Sequence, residues 1–180
     1  MQTMKKEVIK FWFEDVPAEK RFAKDEALDQ EIKEKFEELY WQLAACEHPD
    51  WQDSAEGSLA SIIVLDQFSR NIFRGSPQAF ALDPLALNIA QYAIKKGFDQ
   101  ELNPEKRSFL YMPFMHSESK KIHEAALKLF ESLGRELNLK YEIKHKEIID
   151  RFGRYPHRNE VLGRTSTPEE KEFLKTHKGF

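Results

Sequence analysis

A single cysteine in 180 residues sets the first constraint. Cys46 cannot close an intramolecular disulfide and excludes a cysteine-based zinc site, so the sequence reads as one from a reducing, cytoplasmic compartment. Glycine and proline are scarce, at 7 and 8 residues, and leave little room for disordered segments. Long hydrophobic runs are absent. The apolar run near the start, Val8–Phe13, follows Lys5, Lys6 and Glu7 and is too short and too charged for a signal peptide or a membrane span. An excess of one charge is lacking too: the net charge is −3, with residues 1–60 at −7 and residues 61–180 at +4. The second value is too small for the basic footprint of a nucleic-acid-binding domain. No Gly-rich phosphate loop, Gly-x-Ser-x-Gly elbow, dinucleotide fingerprint or HExxH spacing occurs. We therefore expect no cofactor, no metal, no nucleic-acid partner and no membrane contact, and the oligomeric state stays open.

What is present is 41% apolar and 33% charged residues, enough for one folded domain over residues 1–180. No stretch alternates with period two for long, whereas helical spacing recurs, so the expected fold is all-α. Leu28, Ile32, Phe36, Leu39, Tyr40 and Leu43 predict a helix from about Asp25 to Ala45. Ser58 is read as the cap of a helix over Leu59–Phe73. Asp83-Pro84 and Asn103-Pro104 mark two further starts, and Lys95-Lys96-Gly97 closes the first of these. Ser117 is read as opening a helix that ends before Gly134, and Leu139–Phe152 forms the next. Thr167-Pro168-Glu169-Glu170 is a capping box at the head of a last helix.

Two arginine-rich strings carry the chemistry. They are Leu65-Asp-Gln-Phe-Ser-Arg-Asn-Ile-Phe-Arg-Gly75 and Arg151-Phe-Gly-Arg-Tyr-Pro-His-Arg-Asn-Glu-Val-Leu-Gly-Arg164. Each mixes charges with large apolar residues, so the charges either neutralise one another inside the fold or await a ligand. At about 100° per residue, Leu59, Ile63, Asp66, Arg70 and Arg74 fall on one stripe, flanked by Gln67 and Asn71. In the second string Arg154, His157, Arg158 and Asn159 gather around a turn, with Asn159 a candidate cap for a short helix over Glu160–Leu162. These nine residues are the candidate anion-binding set: Asp66, Gln67, Arg70, Asn71, Arg74, Arg154, His157, Arg158 and Asn159. Arginine suits carboxylate or phosphate because its planar fork binds them in two places. His116, read as lying at a helix start, and His157 are the candidate acid–base residues. His145 reads as packing, and His123 has no ligand spacing.

The two strings, with Ala79-Phe-Ala-Leu-Asp83, Phe11-Trp-Phe13, Phe22-Ala-Lys-Asp25 and Ser166-Thr-Pro-Glu-Glu170, resemble the bacterial domain-of-unknown-function family 924. The resemblance spans nearly the whole chain. It implies an antiparallel, tetratricopeptide-like helical array and brings no established activity, hence no catalytic residues. Ser69 stands where that family leads us to expect proline, and should leave the helix through Arg70 straighter. Three readings follow: a binding protein for an anionic small molecule or acidic peptide, an enzyme acting on a small anionic substrate with His116 or His157 as acid–base, or an internal ion-pair network.

Overall fold

The computed structural model describes residues 2–180, with side chains from Met4 onward. Their regular secondary structure is all helical, with turns between the helices, and no strand occurs among them. Helix α1 (Gln2–Lys10) runs on into a wider π turn at Phe11–Asp15. Helix α2 (Glu26–Ala44) starts where the Asp25 carboxylate accepts from the amides of Ala27 and Leu28. Its buried residues are the ones whose spacing predicted it: Leu28, Ile32, Phe36, Leu39, Tyr40 and Leu43.

Helix α3 is the middle of the molecule. It runs Ala55–Ile62, widens into a π turn at Ile63–Phe68, and ends as Ser69–Ile72. The Ser69 amide bonds back to Val64, five residues away, which is the mark of a π segment. Its cap is Ser54, which accepts from Gly57, so the helix starts earlier than expected and Ser58 is a buried internal residue. Ser69 does keep the chain helical through Arg70, but the widened turn lies immediately before it. Phe68 packs among Phe11, Trp12 and Phe36, with ring centroids 4.7–5.9 Å apart.

Around α3 stand α1, α2, α4 (Asp83–Lys96) and α5 (Pro104–Met115), and α3 touches all four. Lys96 is followed by Gly97 at φ 79°, a left-handed cap that glycine adopts without strain. Asn103 caps α5 through the Lys106 amide as expected. Asp83, in contrast, makes no cap bond, and is the first residue of α4 after Leu82. Next come α6 (Lys120–Leu133), capped by Ser119 rather than Ser117, and α7, which begins at Glu136 and reaches Phe152. Helix α8 (Pro168–Leu174) opens on the full capping box of Thr167 and Glu170. Residues Asn159–Gly163 form turns, so the short helix expected there is absent. The helices differ in length and α3 is enclosed by several others, so no repeating unit is seen among the described residues. No described helix is long and apolar enough to cross a membrane.

Candidate functional site

The π turn of α3 and the end of α5 meet at a buried polar centre. Asp66, in the π turn, is wholly buried, and its Oδ1 lies 2.7 Å from His116 Nδ1. His116 caps the C-terminal end of α5, not a helix start. Gln67 Nε2 donates to the other carboxylate oxygen at 2.6 Å. Arg70 Nη1 lies 3.6 Å from Asp66 Oδ1, and the guanidinium also grips Asp83 with two bonds of 2.9 Å. Burial alone would push the Asp66 carboxyl up; Arg70 and His116 outweigh it and hold the group well below the usual carboxylate range. An ionised Asp66 can only accept, so Nδ1 of His116 carries the hydrogen and donates. His116 Nε2 then has no protein partner among the described residues, on a side chain still 16% exposed.

The second string reaches this centre from the other side. Arg158 is buried with its guanidinium carbon 4.5 Å from the Phe80 ring centre and 4.7 Å from that of Tyr155. Nη2 donates to the His116 carbonyl at 3.1 Å, and Nη1 is 3.6 Å from Asp83. Its Nε is buried and has no partner. The neighbouring carbonyls are held as well. Tyr155 Oη donates to Met115, and His123 Nε2 donates to Ser117 at 2.7 Å. His123 Nδ1 in turn meets Glu142 Oε1 at 2.7 Å, both residues fully buried. Burial raises the Glu142 carboxyl above its ordinary value.

The remaining predicted residues lie elsewhere. Asn71 and Arg74 both bind Asp29 of α2, at 2.5–2.8 Å. Arg154 is bidentate to Glu170, and Asn159 donates to Ser166 and Glu170 while accepting from Arg164. These bonds stitch α8 to the body. His157 packs beside Tyr155 and against Gly179, with Nδ1 unpartnered. The structure thus gathers Asp66, Gln67, Arg70, Arg158 and His116 in one place and leaves Asn71, Arg74, Arg154 and Asn159 in separate ion-pair clusters. Among the described residues no group of three metal-ligating side chains converges. A broad hollow of about 760 Å³ lies along the acidic face of α2, beside Lys33, Glu37 and Trp41. One helix and Glu47 make up its wall, which is open surface and not part of this centre.

His145 adjoins the centre, its ring 6.2 Å from that of His116. Nδ1 donates to the Tyr141 carbonyl, and Phe180 stacks on the ring at 3.6 Å. Burial, aided by His116, pushes the imidazole down to about 2; burial and Arg158 push His157 down to about 4. Below the unfolded value near 6.5 the unfolded chain takes up protons that these folded rings refuse. Stability is therefore full above pH 6.5 and falls as the pH drops. Between pH 7 and pH 5 His145 alone accounts for about 2 kcal/mol. Because His157 adds a similar share in both proteins, urea denaturation at both pH values is expected to show a loss about 2 kcal/mol smaller in His145→Asn, which keeps the donor to Tyr141, than in the parent. Equal losses in both proteins would refute it.

A family model for bacterial proteins of unknown function, DUF924, matches residues 8–178. The chain belongs to the DUF924 family. The solved structure of the protein of unknown function ATU0120 from Agrobacterium tumefaciens is similar, with a TM-score of 0.93 at 39% identity, covering 98% of this chain and 99% of that one. No functionally curated protein matches. Within this DUF924 protein, sequence reasoning gave no site role to Asp83, Phe80, Tyr155, His123 or Glu142, while His145, read as packing, is buried under Phe180. Asp83 was hidden because Asp-Pro is an ordinary helix-start signal. Tyr155 carried a usable signal, since a tyrosine inside an arginine-rich string offers both a ring for a guanidinium and a donor for a buried acceptor. Nothing in the sequence paired His123 with Glu142.

Proposed function

We propose that the Asp66–His116 centre transfers a proton to or from a small substrate carrying an acidic group. The observation that carries this reading is the imidazole whose Nδ1–H is held by a buried, ionised carboxylate while Nε2 is left unpartnered. A ring fixed in that tautomer is a general base poised for use, because its free lone pair needs no reorganisation before accepting a proton. The neighbouring Arg70 and Arg158 favour an anionic substrate, and the unpartnered Nε of Arg158 is one donor still to be satisfied. That donor also favours a second reading, binding of an anionic small molecule without turnover. An acidic peptide has less to hold, since Arg74, Arg154 and Arg164 are already engaged by Asp29, Glu170 and Glu118. Consecutive packing of α5, α6 and α7 supports the tetratricopeptide-like reading for that half of the chain. The exposed free thiol of Cys46 supports a reducing, cytoplasmic setting.

The test is a thermal-shift panel of carboxylated and phosphorylated small molecules, with each hit followed for conversion by NMR. A ligand at a hundred times its Kd adds about 2.7 kcal/mol. His116→Asn keeps the donor to Asp66 but has nothing at the place of Nε2. It is expected to bind such a hit and to convert it at least about a hundredfold more slowly. Conversion unaffected by this change would remove His116 from the reaction, and binding with no conversion would leave the second reading.

A further inference from the structure

Three consecutive carbonyls at the end of α5, those of Met115, His116 and Ser117, each receive a hydrogen bond from a different buried side chain. The last carbonyls of a helix have no partner inside it, and water or a cap usually supplies one. Here the donors are Tyr155 Oη, Arg158 Nη2 and His123 Nε2, from the second string and from α6. We propose that Tyr155, Arg158 and His123 are positioning residues that fix the backbone of His116, and thereby aim its Nε2. The inference rests on the acid–base reading of His116 and concerns what these three residues do to its backbone, a role separate from any contact of Arg158 Nε with an anion.

Chemistry and geometry support it together. Each donor is pinned in its turn. Arg158 is clamped between Phe80 and Tyr155, and His123 is backed by Glu142 at 2.7 Å. Tyr155 Oη also lies 3.1 Å from His123 Nε2, which joins two of the three donors into one unit. Burial keeps the Tyr155 phenol protonated by pushing it far above its ordinary value, so it remains a donor. A backbone held at three successive points gives the His116 ring one position from which Nδ1 reaches Asp66. With the backbone loose, that 2.7 Å bond would compete with other rotamers and with the second tautomer. The bonds from Tyr155 Oη and Arg158 Nη2 serve this role with or without an anion at Arg158 Nε.

The test reads His116 itself and needs no substrate. In the parent, nitrogen-15 NMR of the histidine side chains is expected to show His116 as a single tautomer with the hydrogen on Nδ1. In Tyr155→Phe and Arg158→Met the same resonance is expected to show both tautomers, while the rest of the amide spectrum stays folded. Arg158→Met is the safer variant, because Asp83 keeps its two bonds from Arg70 when Arg158 is gone. A single Nδ1–H tautomer persisting in both folded variants would overturn the proposal, and if one variant does not fold the other decides. If neither folds, the three bonds are scaffold and the proposal fails. The absence of any substrate in the metabolite panel would bear on the acid–base reading alone.

Discussion

Asp66→Ala is expected to destabilise the protein by roughly 3–5 kcal/mol, the range for breaking a buried charge pair from one side. The carboxylate is wholly buried and serves three groups at once: His116 at 2.7 Å, Gln67 at 2.6 Å and Arg70 at 3.6 Å. Alanine leaves the imidazole Nδ1–H and the Gln67 amide short of an acceptor, and opens a void where the carboxylate stood. Arg70 is the mitigating group, because both bonds to Asp83 survive. This places the cost toward the lower end. Asp66→Asn keeps the volume and an oxygen for His116, but its amide nitrogen then faces the Gln67 donor, so it should cost about 1–3 kcal/mol for that lost acceptor and the lost charge beside Arg70. Its turnover should nevertheless fall by up to about 10⁴-fold, the size of the effect when a neutral amide replaces the carboxylate behind a catalytic imidazole. The pH dependence supplies a check that needs no substrate. The folded carboxyl is held well below its unfolded value, so its stabilisation is present above about pH 4 and is lost as the pH falls through the carboxylate range. Urea denaturation from pH 7 to pH 3 should therefore show a steeper acid loss in the parent than in Asp66→Asn. An alanine variant within about 1 kcal/mol of the parent at pH 7 would mean that the carboxylate is not offsetting buried cationic charge.

How much of this centre the sequence revealed depends on which bonds are local. Asp66, Gln67 and Arg70 were found because apolar spacing ran directly into charge, a pattern that survives being read along one helix. The same projection added Arg74 and Asn71, and they bind Asp29 instead. The π turn at Ile63–Phe68 is one reason, since a period of 3.6 no longer places residues beyond it on the stripe that precedes it. The partners of Arg74 and Arg158 stand 45 and 75 positions away in the chain, at Asp29 and Asp83, where no spacing rule applies. His116 was found as a residue type but put at the wrong end of a helix, because Ser117 was read as a cap and the cap is Ser119. The difference matters chemically. At the end of α5 its carbonyl and those on either side are unpaired by the helix, and it is these that the second string and His123 of α6 satisfy.

The helix that carries Asp66 depends on a close approach at its other end, and Gly57 is where that approach can be tested. Helix propensity predicts that Gly57→Ala, inside the first part of α3, stabilises the protein by about 0.5–1 kcal/mol. Packing predicts the opposite. A β-carbon built on Gly57 would lie 2.1 Å from the carbonyl oxygen of Trp51 and within 2.9 Å of two further backbone atoms of that residue. None of these can swing aside as a side-chain tip can. Trp51 is 1% exposed, and the Gly57 amide is itself tied to Ser54 Oγ at 3.1 Å. The turn at Pro49–Asp53 and the start of α3 must therefore separate by more than an ångström if alanine is to fit. Overpacking of a well-filled interior costs about 1–3 kcal/mol and occasionally more, and a backbone-on-backbone clash belongs at the top of that range. The clash outweighs the propensity gain, so a net loss of about 2 kcal/mol or more is expected in urea denaturation at pH 7. Because α3 is continuous from Ala55 to Ile72, a displaced first turn should also disturb the Asp66–His116 bond, visible as a changed His116 side-chain resonance in the folded variant. A Gly57→Ala protein more stable than the parent would show that the turn gives way freely, and that α3 is held in place by its aromatic core alone.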